Sequence, residues 1–97
     1  MIEVRETEAF AQWLGNFADE RARARVATRI VRLRNGLFGD AKPVGRGVHE
    51  LRIDYGPGYR LYFVRRGATV VILLCGGDKR RQKRDIKTAI AMAAELE

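Results

Sequence analysis

The chain is poor in the residues from which most small catalytic and metal sites are built. One cysteine, Cys75, and one histidine, His49, occur among 97 residues. A lone cysteine excludes an internal disulfide framework, and one histidine beside it makes no zinc ligand set. The chain has no serine, so a Ser/His/Asp set is lacking too. The segment GGDK is not a nucleotide-hydrolase phosphate loop, which needs a longer glycine spacing followed by Lys and Ser or Thr. No metal and no cofactor are therefore expected. The longest apolar runs, Val70–Cys75 and Ala89–Ala94, fall far short of the ~20 residues a membrane span requires. The opening MIEVRETEAF lacks the basic and apolar regions of an export signal, so a reduced, cytoplasmic setting is expected.

What the chain does have is positive charge in one place. Nineteen Lys and Arg against twelve Asp and Glu give a formal net charge of +7. Residues 78–87 hold six cations against two carboxylates. Such focus steers a small domain toward nucleic acid, an acidic protein segment or an anionic surface. In GGDKRRQKRDIK, the residues Lys79, Arg80, Arg81, Lys83 and Arg84 fall where a strand end turns into the last helix. Cations are unfavourable at a helix start, which carries unpaired N–H donors and the positive end of the macrodipole. An extended anion docked there would use donors and cations together. The plainer reading is a solvated basic helix end.

The length fits one domain, residues 1–97, that buries about two thirds of its unfolded surface. Residues 1–5 read as a short strand, and Thr7 as the N-cap of a helix with Phe10, Trp13, Leu14 and Phe17 on one face. That spacing makes Trp13 core rather than a stacking platform. Asp19 caps a second helix ending near Gly36, with Ala22, Val26, Ile30, Leu33 and Leu37 in its apolar stripe and Arg21, Arg25, Arg29 and Arg32 beside it. Phe38–Gly47 reads as a turn-rich loop. Three strands follow, from Val48, Tyr59 and Thr69, joined by DYGPG and Arg66-Gly67-Ala68 turns. A final helix spans about Arg81 to Leu96. The order β-α-α-β-β-β-α predicts a small α+β domain whose antiparallel-rich sheet carries its helices on one face.

Alternation puts Leu51, Ile53, Leu61 and Phe63 under the helices, and Glu50, Arg52, Arg60 and Tyr62 together on the opposite face. His49 lies on the Leu51 side, where a partly buried structural histidine is expected. If the opposite face is open, it forms one groove with residues 79–84. A carboxylate, several guanidiniums and phenols are suited to phosphodiester transfer to a neighbouring 2′-OH. Arginine holds phosphate oxygens in pairs and stabilises the growing charge, but cannot act as a base. Glu50 either serves as that base or pairs with Arg52 or Arg60. Tyr55, Tyr59 and Tyr62 are candidate stackers or donors, with nothing to choose between them.

The run VHELRIDYGPGYRLYFVRRGATVVILLCGGDKRRQKRDI resembles the bacterial RelE/ParE toxin superfamily, most closely its HigB-like "addiction module killer protein" branch. The resemblance covers nearly the whole chain. It implies a ribosome-dependent mRNA endoribonuclease that needs no metal, acts at the ribosomal A site, and is silenced by an antitoxin, usually of helix-turn-helix type. By the same resemblance Arg60 contacts the scissile phosphate, Arg80 stands near the leaving group, and Arg52 lies among residues held against the message. Lys79, Arg81, Lys83 and Arg84 would add RNA contacts. Some relatives place a Tyr or His in the final segment for acid/base chemistry. KRRQKRDIK has neither, which points to Glu50, with His49 as runner-up, or to assistance from Lys79. A ParE-like inhibitor of DNA gyrase and a non-toxic, antitoxin-binding regulatory module are the competing implications.

Overall fold

The computed structural model describes residues 1–96. It contains the strands β1 (Glu3–Glu6), β2 (Ala41–Gly45), β3 (Val48–Ile53), β4 (Tyr59–Arg66) and β5 (Val70–Asp78). The helices are α1 (Glu8–Gly15), α2 (Glu20–Arg34) and α3 (Gln82–Glu95), the last preceded by a single 3-10 turn, Lys79–Arg81. Local chemistry sets these limits. The Thr7 hydroxyl accepts from the Phe10 amide, and Asp19 Oδ1 accepts from the amides of Arg21 and Ala22, so each of the first two helices starts at a side-chain cap. α2 ends where Gly36 takes φ 76° and the amides of Gly36 and Leu37 turn back to the carbonyls of Leu33 and Arg32. Glycine alone adopts that conformation freely. Leu37 therefore leaves the apolar stripe and is 61% exposed, unlike Ala22, Val26, Ile30 and Leu33, which are buried.

The strand order is β1-β5-β4-β3-β2. β1 runs parallel to β5, and every other pairing is antiparallel. The sheet is thus mixed, in a small α+β domain with the expected succession of elements plus one strand. That strand, β2, occupies the segment read as loop. Its Pro43 lacks an N–H and is tolerated because β2 lies at the sheet edge, next to a register shift at residues 43–45. Among the described residues no helix is long and apolar enough to cross a membrane.

The helices do not all share one face. α1 and α2 cover one side of the sheet, where Phe10, Val26, Ile30 and Leu33 meet Leu51, Ile53, Leu61, Phe63, Val71 and Leu73. α3 folds back across the other side, packing Ala89 and Ala93 against Val48, Tyr62, Val64, Leu74 and Cys75. Small residues on α3 allow its backbone to sit close to the sheet. The expectation of helices on a single face fails because the hairpin residues Val48, Tyr62 and Val64 supply a second apolar patch that needs covering.

Candidate nucleic-acid interface

The face under α3 is polar at one end. In β3 and β4, Glu50 lies opposite Tyr62 and Arg52 opposite Arg60, as the alternation required. Glu50 is fully buried. Its Oε2 accepts from the Tyr62 hydroxyl at 3.2 Å and from Gln82 Nε2 at 2.8 Å, while Oε1 accepts from Arg52 Nε at 3.2 Å. A buried carboxylate is stable only with such partners. Burial, reinforced by the nearby Glu50 charge, pushes the Tyr62 phenol above its ordinary range, so Tyr62 stays a neutral donor. Glu50 and Tyr62 were expected on an open groove, and here the structure corrects the sequence reading. The face was inferred correctly, but α3 covers it, and the oxygens of Glu50 are occupied by donors of the protein itself. Glu50 holds β3, β4 and α3 together and is not presented to a ligand.

Beside this seam, Arg52, Arg60, Lys79, Asp40 and Asp54 line a cleft of about 280 Å³. Arg60 is only 7% exposed, and its Nε is buried with no hydrogen-bond partner among the described residues. Arg60 lines the cleft all the same, and a guanidinium there suits an incoming oxyanion. Arg52 turns its Nε inward to Glu50 and remains partly exposed, and its carbonyl accepts from Arg29 Nη1 at 3.1 Å. The cleft's two acidic residues, Asp40 and Asp54, were not singled out from the sequence.

The basic turn is divided. Asp78 Oδ1 accepts from the Arg80 amide at 3.0 Å, so the donors at this chain reversal are partly used internally. The Arg80 side chain is 84% exposed and stands 3.6 Å from Asp78 Oδ2. Lys79 joins Arg52 and Arg60 in the first cleft. Arg81 and Arg84 instead line a second cleft of about 350 Å³, with Trp13, Phe17, Tyr59 and Asp85. Lys83 is exposed and lines neither. The single groove expected from the sequence is therefore two neighbouring clefts.

His49 is half-buried on the opposite sheet face, stacked on Phe63 with ring centroids 5.4 Å apart. Tyr55 lies under the Arg25 guanidinium at 4.8 Å, and Tyr59 belongs to the aromatic cluster of the second cleft. Gln82 and Asp85 went unnoticed in the sequence. The signal available for Asp85 was the Gly76-Gly77 pair: a Cβ at Gly77 would collide with the Asp85 carboxylate, and one at Gly76 with the Trp13 ring.

Residues 12–96, from the aromatic end of α1 through α3, match the family model of the phage-derived Gp49-like proteins (DUF891). The chain belongs to that family. A Haemophilus influenzae protein of uncharacterized function is 48% identical over 95 residues, covering 98% of this chain and 96% of the relative. The fold is shared with a chain of the toxin–antitoxin complex RelBE2 from Mycobacterium tuberculosis, with a TM-score of 0.65 and 24% identity. That match covers 80% of this chain and 98% of the other. A conserved hypothetical protein of Helicobacter pylori matches with a TM-score of 0.52 and 18% identity, over 82% of this chain and 97% of the other.

Proposed function

We propose that this Gp49-like protein is the toxin of a toxin–antitoxin pair, of the HigB-like branch, acting in the cytoplasm as a metal-independent mRNA endoribonuclease on the ribosome. The observation that carries this reading is Arg60, a largely buried arginine that lines a cleft shared with Arg52 and Lys79. RNA supplies its own nucleophile, the 2′-OH. Attack on the adjacent phosphorus breaks the bond to the 5′ oxygen and leaves a 2′,3′-cyclic phosphate and a 5′-hydroxyl. Arg60 stabilises the charge that grows on the non-bridging oxygens, and Arg80, exposed on the basic turn, serves the leaving oxygen. Protons move through groups at the cleft itself, Lys79 and the carboxylates of Asp40 and Asp54, since Glu50 is enclosed. Arg81, Lys83 and Arg84 extend the basic surface along the message.

The likeness in fold to a chain of a toxin–antitoxin complex supports an antitoxin partner for this chain. An acidic segment of a helix-turn-helix antitoxin laid over residues 79–84 would neutralise the cations and close the clefts. The deciding experiment is primer extension on a message in a translating extract. New 5′ ends within the reading frame are expected with the wild type, and Arg60→Ala should lower their yield by about a hundredfold to a thousandfold. Equal cleavage by a folded Arg60→Ala variant refutes the assignment. DNA breaks without RNA ends would instead identify a gyrase inhibitor, and no effect on growth a regulatory module.

A further inference from the structure

The second cleft has a construction that phosphate binding does not require. β1 pairs with β5 only over Val70–Leu73, and Thr7 then takes the carbonyls of Leu73 and Leu74. From Cys75 onward β5 carries no strand on that side among the described residues, and the cleft lies along this edge at Gly76, Gly77 and Asp78. One wall is aromatic. Trp13, Phe17 and Tyr59 pack with centroids 4.6 to 6.3 Å apart. The other wall carries Asp85, whose Oδ2 is buried against Gly77 and has no hydrogen-bond partner among the described residues. Burial raises the Asp85 carboxyl above its ordinary range, Arg81 opposes this and Asp78 adds to it. Arg81 and Arg84 complete the lining. An aromatic wall of mutually tilted rings, a carboxylate lining the cleft and two guanidiniums match the three parts of a nucleotide: base face, base edge and phosphate.

We infer that this cleft binds a single unpaired nucleotide of the message and prefers guanine, its base lying on the Trp13, Phe17 and Tyr59 wall and its pairing edge donating to Asp85. The inference rests on the RNA-directed function proposed above. The preference follows from the acceptor. Guanine alone places two donors, N1–H and the N2 amine, side by side on its pairing edge. Adenine and cytosine set a bare ring nitrogen next to their amine, and uracil flanks one N–H with two carbonyls, so each brings a lone pair toward the carboxylate. A pocket of about 350 Å³ is within the range of small-ligand sites.

Trp13 is the only tryptophan, so its indole N–H gives one resonance that reports on this cleft. The intact protein is titrated with 5′-GMP, 5′-AMP, 5′-CMP and 5′-UMP while that resonance is followed. Saturable shifts are expected, tighter for GMP by roughly tenfold. Asp85→Asn, nearly isosteric, should erase the preference, and Arg84→Gln should weaken all four nucleotides alike. Indistinguishable titrations with the four nucleotides, no saturable shift with GMP, or an Asp85→Asn variant that keeps its preference would each overturn the inference. Arg60→Ala separates it from the cleavage reading. That variant should bind GMP like the wild type while losing cleavage. A GMP-selective protein that cuts no message leaves the pocket standing and removes the nuclease.

Discussion

The two faces of the sheet are built from opposite materials. Under α1 and α2 the contacts are aliphatic and aromatic throughout, from Phe10 to Leu73. Under α3 they are small, with Ala89 and Ala93 over the sheet, and they run into a polar seam at Glu50, Tyr62, Gln82 and Arg52. The first face derives its stability from apolar area. The second spends part of its area on hydrogen bonds that hold Arg52 and α3 in fixed places, and the cleft of Arg52, Arg60 and Lys79 opens beside it. The second cleft draws on both sides, with Trp13, Phe17 and Tyr59 from the apolar face and Arg81, Arg84 and Asp85 from the chain reversal into α3.

The sharpest way to break this contrast is Glu50→Ala, which strands the Tyr62 hydroxyl, the Gln82 amide and Arg52 at once. It should cost about 3–5 kcal/mol in denaturant unfolding, and a smaller loss than that of a single core truncation would mean the seam is not holding the face. Leu61→Ala, on the apolar side, gives the reference for that comparison. Its expected cost is about 2–5 kcal/mol, set by how far the cavity collapses, with mRNA cleavage by the folded fraction unchanged.

Gly76→Ala drives a methyl group into the Trp13 ring. A loss of about 1–3 kcal/mol is expected, together with a displaced Trp13 indole resonance; an unshifted resonance would show that the ring does not rest on this glycine. The smallest effect is also pH-dependent. The folded-state pKa of Asp85 is raised, so the folded protein holds that proton to higher pH than the unfolded chain does. Its contribution is favourable below the unfolded value and is lost as pH rises through the folded one. Asp85→Asn should therefore be slightly more stable than wild type at neutral pH, with the gap closing in acid. Paired denaturant midpoints at the two pH values test the sign.

Much of the frame was legible in residue order. Thr7, Asp19 and Gly36 marked helix limits because caps act locally, and Leu51, Ile53, Leu61 and Phe63 fell on one face because strand periodicity admits no other arrangement. β2 escaped because Gly and Pro around an edge strand look like those of a loop. The open groove was misread for a different reason: alternation tells which residues share a face, but not which element later covers it. Whether Glu50 meets solvent or Gln82 depends on a contact spanning 32 residues, which no local pattern encodes. The second cleft was hidden likewise, since helical spacing accounted for Trp13 completely and left no reason to look for another use.

The carboxylate at position 50 receives its donors from two strands and one helix, so a single side chain acts as the pin of a hinge. With alanines, a few partly buried apolar groups and the contact of the Cys75 thiol with the Asp85 carbonyl otherwise fastening α3 to the sheet, release of that pin should free the C-terminal segment together. Amide protons from Gln82 to Glu95 would then exchange with solvent as one block, ahead of the hairpin, and the spacing between the two clefts would be only as constant as that one attachment.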